Sequence, residues 1–231
     1  MYKIIIIGLS FVFLTTNASA EEDSSIARGG KLYDKWFKVI DAEKPKDTHP
    51  SWPSSNTKKK DNATHRCKSC HGWDLMGKEG AYASGSYKTG IKGLRHLDGG
   101  SKDTVITAMK DATHGYSGKI TVQDFNDLAM FVTKGQVDMD KIIDRESKQA
   151  KGGNVTKGSA YYNTVCSNCH DKSGKEPKDM PPLGALSNKN PWEVVHKIQN
   201  GQPDEDMPAM RAFGLQVTVD ILAYLQTLPK E

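Results

Sequence analysis

All four cysteines of this 231-residue chain fall in two copies of one five-residue pattern. Residues 67–71 read Cys-Lys-Ser-Cys-His, and residues 166–170 read Cys-Ser-Asn-Cys-His. C-x-x-C-H is the attachment signature of c-type haem, because two thiols on one helical turn reach both vinyl groups of one porphyrin. The histidine that follows supplies an axial nitrogen to the iron. The sequence therefore predicts two haem c groups, attached through Cys67, Cys70, Cys166 and Cys169 and ligated by His71 and His170.

Three other interpretations of the cysteine pairs are weaker. Two disulfides suit an exported chain, but they leave the paired histidines unexplained. A zinc ribbon separates its two pairs by about 15–20 residues, far fewer than lie between these two. A thioredoxin-like pair lies within a βαβ pattern, and the flanking sequence has no strand-rich runs. Haem attachment accounts for every cysteine and for both histidines.

The first twenty residues have the order of a secretory signal peptide. Lys3 gives a positive start, residues 4–14 form an apolar run, and small residues lead up to Ala20. A membrane-spanning helix needs roughly 20 apolar residues, so the run is too short for an anchor and cleavage is expected after Ala20. No later segment is apolar enough to span a membrane. The sequence thus predicts a periplasmic protein with no transmembrane segment in its mature chain.

The composition adds two constraints. The net charge is +4, and removal of Lys3 with the signal peptide leaves +3, which is too weak to indicate a nucleic-acid partner. Hydrophobic residues make up only 36% of the chain, little for a large core. A large apolar cofactor in each domain would supply the missing core material.

The surroundings of the two motifs are similar as well. Gly30 with Tyr33 precedes the first motif, and Gly158 with Tyr161 or Tyr162 precedes the second. Each motif is followed by a Gly-rich stretch, a short helix and an amphipathic closing helix, which apolar spacing predicts at residues 122–133 and 217–228. This order resembles that of class I c-type cytochromes arranged in tandem.

The resemblance implies an all-α fold of two tandem domains, each built around one covalently bound haem. In each domain an N-terminal helix would cross a C-terminal helix at the glycine and the aromatic residue. The domains are expected over residues 21–137 and 156–231, joined by a solvated linker at 138–155. The resemblance also implies that a backbone carbonyl of residues 180–184 holds His170. Residues 89–94 occupy that place in the first domain without the proline, so the bond to His71 stays open.

Residues 41–66 form an insertion that the second domain lacks. It is rich in Lys, Pro, Ser and Thr, and it has three consecutive lysines at its centre, 58–60. Charge runs are usually solvated, so a surface loop is the first expectation. Two alternatives are a docking patch for an acidic partner, and packing of His49, Trp52 and Pro53 over the first haem.

The distal ligand of each iron decides between electron transfer and ligand binding. In the second domain, the resemblance implies a distal methionine in a Met-Pro loop before the last helix. Met207 fits that place, Met210 is its alternative, and Met180 is expected to pack beside prolines. The neighbouring acidic residues 204–206 would either face a basic partner or form a solvated turn.

In the first domain the distal side differs. When the closing helices are aligned through Ala129 and Ala223, His114 lies almost opposite Met207. The preceding helix places Met109 opposite a core isoleucine. We therefore expect His114 to be the distal ligand, with Met109 or His96 as alternatives. The remaining histidines are expected to be surface or packing residues: His49, His65 and His196.

These ligands predict a lower-potential bis-His haem in the first domain and a higher-potential His/Met haem in the second. The function that follows is periplasmic electron transfer between redox-partner proteins, as a carrier or as a cytochrome subunit, with no catalytic residue. The alternative is a dihaem enzyme that resembles thiosulfate dehydrogenases or peroxidases. Such enzymes need an open or displaceable haem ligand, and the cysteine ligand of thiosulfate dehydrogenases has no counterpart here.

Overall fold

The computed structural model describes residues 10–231, with side chains from residue 19 onward. The start of the predicted signal peptide, residues 1–9, lies outside the described residues. Residues 10–231 contain helices and two isolated bridges, Gly77 with Lys92 and Ile143 with Ala150, but no strand. The predicted all-α fold is therefore confirmed for this part of the chain. No helix within it is long and apolar enough to cross a membrane.

The described residues contain ten α-helices. They are α1 Ser10–Val39, α2 Cys67–His71, α3 Lys102–Lys110, α4 Val122–Lys134, α5 Met139–Ile142, α6 Val155–Tyr161, α7 Ser167–His170, α8 Leu183–Lys189, α9 Pro191–Asn200 and α10 Leu215–Leu225. The two predicted closing helices correspond to α4 and α10. Helix α4 begins after Thr121, whose hydroxyl accepts from the backbone N–H of Asp124 in a capping box. We call residues up to 137 the first half and residues from 138 the second half.

Each half is organised around one close crossing of two helices. A Cβ on Gly29 of α1 would lie 2.0 Å from the carbonyl oxygen of Asp127 in α4. A Cβ on Gly158 of α6 would lie 1.9 Å from the carbonyl oxygen of Asp220 in α10. Only glycine permits either approach. The glycine predicted at the second crossing is thus confirmed.

The glycine predicted at the first crossing, Gly30, is wrong by one residue. Gly30 points to the second half instead, where a Cβ would lie 2.3 Å from Cγ of Asn200 in α9. The two adjacent glycines therefore let α1 approach two helices at once. The sequence pattern of Gly-Gly did not distinguish these two contacts.

Two hydrophobic cores lie under these crossings, and the second one includes residues of the first half. Trp73, two residues after His71, is fully buried in the core that surrounds α9 and α10. Met139, Ile142 and Ile143 are buried in the same core. Residues 138–155 were expected to form a solvated linker, and this is wrong because their apolar residues pack inward. The charged Arg145 pairs at the edge with Asp74 and Asp140.

Polar contacts also join the two halves. The buried carboxylate of Asp34 in α1 pairs with Arg66 and with Lys197 of α9. The preceding residue of α9, His196, donates from Nε2 to the carbonyl oxygen of Gly30 at 2.9 Å. Its ring lies 4.9 Å from that of Trp73, centre to centre. His196 is therefore a packing residue, one of the two roles expected for it, and it lies at the junction between the halves.

The insertion at residues 41–66 folds back onto the first half. Trp52 is buried, and its Nε1 donates to the carbonyl oxygen of Asn56 at 3.0 Å. Nε2 of His49 donates to the carbonyl oxygen of His114 at 3.3 Å. The lysines at 58 and 60 are exposed, as a surface loop predicts. The middle of the insertion packs inward instead, because Trp52 is buried and His49 is bonded to the loop that carries His114. Packing of these residues over the first haem stays a prediction.

Candidate haem-binding sites

The first C-x-x-C-H motif forms the single helical turn α2, which ends at His71. Burial raises the pKa of Cys67 to about 11 and that of Cys70 to about 12. Such thiols stay protonated, unlike the low-pKa thiolates of redox-active pairs. All four cysteines are free of disulfides, and the described residues contain no group of three or more His, Cys, Asp or Glu placed to hold a metal ion. The structure thus gives no support to the disulfide and zinc interpretations.

His71 is oriented through its own backbone surroundings. Its Nδ1 donates to the carbonyl oxygen of Lys92 at 2.9 Å. Lys92 belongs to residues 89–94. This segment therefore does supply a carbonyl group to His71, although it lacks the proline of the second domain. Burial lowers the pKa of His71 to about 4, which keeps the ring in the neutral form that binds metals. With Nδ1 bonded, Nε2 is the nitrogen available for a ligand.

The structure places His114 opposite His71. The planes of the two imidazole rings are inclined by only 23° to each other, and the ring centres lie 6.3 Å apart. An iron held between two imidazoles by bonds of about 2 Å separates the ring centres by about 6 Å, because each centre lies about 1 Å behind its nitrogen. The observed spacing therefore fits one metal atom between the rings. The residues present fit a haem iron at this place.

Asp111 orients His114 in turn. Its Oδ1 accepts from Nδ1 of His114 at 3.1 Å and from the backbone N–H of His114 at 3.0 Å. The backbone N–H of Thr113 donates to the same oxygen at 2.9 Å. The backbone hydrogen bond from His114 is the main cause that lowers the pKa of Asp111, so this carboxylate is ionised at neutral pH. As with His71, the hydrogen bonds of the described residues leave Nε2 of His114 unpaired.

The two alternative ligands of the first half lie elsewhere. Met109 is buried in the first core, and its carbonyl oxygen accepts from the N–H of Tyr116. The carbonyl oxygen of Ile198 accepts from the N–H of Met210 in the same way, which supports the sequence pairing of Met109 with a core isoleucine. His96 is exposed on a short 3-10 turn. Among the described residues, the ring contacts and hydrogen bonds join His71 to neither of these side chains, whereas the ring of His114 lies beside it.

The proximal histidine of the second half is held by an unexpected residue. Nδ1 of His170 donates to the carbonyl oxygen of Glu176 at 2.9 Å. The expectation that residues 180–184 supply this carbonyl is wrong. The chain turns back early, at Asp171 (φ +52°) and Gly174 (φ +71°), and so brings residue 176 to the ring. Gly184 packs on the chain end instead, where a Cβ would lie 2.3 Å from the carbonyl oxygen of Leu228.

A tyrosine fixes the backbone after each proximal histidine. The hydroxyl of Tyr33 donates to the carbonyl oxygen of Gly72 at 2.6 Å, and that of Tyr162 donates to the carbonyl oxygen of Asp171 at 2.6 Å. Each tyrosine lies four residues after its crossing glycine, Gly29 or Gly158. The sequence placed these rings at the crossings but did not reveal the bond to the haem-attachment turn. Their common four-residue spacing was the available signal.

The predicted distal methionine lies in the loop between α9 and α10. Met207 is half-buried there, whereas Met210 is buried in the second core. Met207 lies thirteen residues before Asp220, as His114 lies thirteen before Asp127. No contact among the described residues joins Met207 to His170, so this ligand pair stays a prediction. Asp204 of the same loop pairs with Lys38 at 2.6 Å, a partner that the sequence did not suggest.

Comparison with known proteins bears on the second half. A family model described as cytochrome c oxidase, cbb3-type, subunit III matches residues 153–225. A comparison with curated proteins gives no match. The matched residues include the second C-x-x-C-H motif and extend through α10. Residues 153–225 are thus similar to a c-type cytochrome domain, which supports haem c as the cofactor and electron transfer as its chemistry.

Proposed function

We propose that this chain is an exported dihaem c-type cytochrome that passes electrons between two redox-partner proteins in the periplasm. The family match supports the second haem domain. The repeated crossings at Gly29 and Gly158, each with a tyrosine bonded beside a C-x-x-C-H histidine, support an equivalent domain in the first half. The apolar run and small residues before Ala20 support export.

The observation that carries the proposal is the spacing of His71 and His114, whose near-parallel rings have their centres 6.3 Å apart. When bound, each haem supplies an iron that alternates between the ferric and ferrous states. His71 and His114 would occupy both axial positions of the first iron. With two histidine ligands, this iron would have no open face for a substrate, which suits electron transfer better than a dihaem enzyme.

The second half is proposed to hold its iron through His170 and Met207. A thioether ligand raises the potential of a haem relative to a second imidazole. Electrons would therefore pass from the first haem to the second and then to the acceptor. The buried contact of Trp73 with His196 joins the two halves and fixes their relative position.

The test is electron paramagnetic resonance of the ferric protein, expressed with a cytochrome c maturation system, together with haem content by intact mass. We expect two haems and two low-spin signals, one of bis-His type and one of His/Met type. The double variants C67A/C70A and C166A/C169A should each retain one haem and only one of the signals. A high-spin signal assigned to the first haem at neutral pH would overturn the proposal and favour an enzyme with an open iron.

A further inference from the structure

Hydrogen bonds hold the His114 loop from two sides. Among the described residues, the Met207 loop of the second half has no equivalent of either set of bonds. On one side Asp111 accepts from the imidazole Nδ1 and from two backbone N–H groups of the same turn. On the other side the insertion at residues 41–66 reaches across. Met207 instead lies in a loop whose described ion pair is that of Asp204 with Lys38.

The insertion binds the backbone of the His114 loop at two successive carbonyl groups. Nε2 of His49 donates to the carbonyl oxygen of His114 at 3.3 Å, and the hydroxyl of Ser51 donates to that of Thr113 at 2.6 Å. The backbone N–H of Ser51 donates to Nδ1 of His49 at 3.1 Å, which leaves Nε2 as the protonated nitrogen. The ring of His65 lies 4.9 Å from that of His49 and supports it edge-on.

We propose that Asp111, His49 and Ser51 are positioning residues that keep His114 on the iron of the first haem and lower the potential of that haem. This inference rests on the proposed function. A carboxylate that accepts from one imidazole nitrogen raises the basicity of the other nitrogen. The more basic ligand favours ferric over ferrous iron. The insertion has a second role: His49 and Ser51 bind the carbonyl groups of His114 and Thr113, which keeps the loop from moving His114 away from the iron.

The two parts are separated by two conservative variants in the full-length holoprotein. D111N retains an oxygen that can accept from the same N–H groups but removes the negative charge. S51A removes one hydrogen bond of the insertion and leaves Asp111 unchanged. The matched controls are D103N, at an exposed acid in the first turn of α3, and S54A, at an exposed serine of the same insertion.

The readouts are the midpoint potential of the bis-His haem and the binding of azide to the ferric protein. D111N should weaken the preference of His114 for ferric iron about tenfold, which corresponds to a potential about 59 mV higher for a one-electron couple. S51A should raise the rate of azide binding about fivefold, as expected for the loss of one hydrogen bond. Neither control should change either readout.

The outcomes distinguish this inference from the proposed function. If the wild-type protein shows the bis-His signal and both D111N and S51A behave like their controls, positioning by these residues is overturned while electron transfer stands. If the wild-type protein lacks the bis-His signal, the ligand assignment itself fails and the inference falls with it. A raised potential in D111N with faster azide binding in S51A supports both parts.

Discussion

The α-carbon of Gly158 lies against the backbone of Asp220, so close that a Cβ would stand 1.9 Å from its carbonyl oxygen. G158A should therefore push α6 away from α10 and lower the free energy of unfolding by about 1–3 kcal/mol, the usual effect of overpacking. Urea unfolding followed by circular dichroism measures this loss. T156A, at an exposed position of the same helix, is the control. Equal stability of the two variants would show that the crossing tolerates a side chain.

The hydroxyl of Tyr162 holds the carbonyl oxygen of Asp171 at 2.6 Å, directly after the proximal His170. Y162F removes this bond and should lower the free energy of unfolding by about 1 kcal/mol. Thermal unfolding of the holoprotein measures the change. Y161F changes the neighbouring ring, whose hydroxyl has no hydrogen bond among the described residues, and should have almost no effect. A loss of equal size in both variants would contradict a specific role for Tyr162.

The features that the sequence predicted best depend on local chemistry and short-range periodicity. The C-x-x-C-H turns and the closing helices are each determined by residues close together in the chain, whereas the glycine at 158 was implied by the resemblance to class I c-type cytochromes. The alignment that put His114 opposite Met207 was one residue off, yet it selected the side chain whose ring lies 6.3 Å from that of His71, centre to centre. His114 and Met207 each lie thirteen residues before the aspartate at their helix crossing, Asp127 or Asp220. An alignment error of one residue therefore did not change which side chain was selected.

The errors concern contacts between distant segments. Gly29 and Gly30 look alike in the sequence, and only the position of α9 separates their roles. Residues 138–155 are rich in charge, but Ile142 and Ile143 meet a core that includes Trp73 from the first half. The carbonyl that holds His170 depends on where the chain reverses, which the dihedral angles of Asp171 and Gly174 determine. No local pattern contains that information.

Asp34 gives the fold a defined sensitivity to acid. Burial alone would raise its pKa, but Lys197 and Arg66 outweigh burial and hold the pKa well below its usual value. A carboxylate with a lowered pKa stabilises the protein above its unfolded-state value of about 3.9, and this contribution is lost as the pH falls below it. D34N should cost about 3 kcal/mol at pH 7, because it leaves two cations without their carboxylate.

This difference between wild type and D34N should shrink as the pH is lowered from about 4 to 2, that is, from the unfolded-state pKa toward the lower folded-state pKa. Urea midpoints at several pH values measure it, with D179N, an exposed acid without an ion pair among the described residues, as the control. A difference that does not change with pH would show that Asp34 contributes through its shape and not through its charge.

Met207 and Met210 are three residues apart, and their environments predict opposite effects of mutation. Met207 is half-buried, at the position that corresponds to His114, so M207A should abolish the His/Met signal of the second haem and let azide bind. Met210 is buried in the second core, so M210A should keep that signal and lower the free energy of unfolding by about 2–5 kcal/mol. Resonance spectra and urea unfolding of both variants separate ligand loss from cavity formation. If M210A lost the His/Met signal while M207A kept it, the assignment would have to be exchanged, because the loop would then place the deeper thioether on the iron.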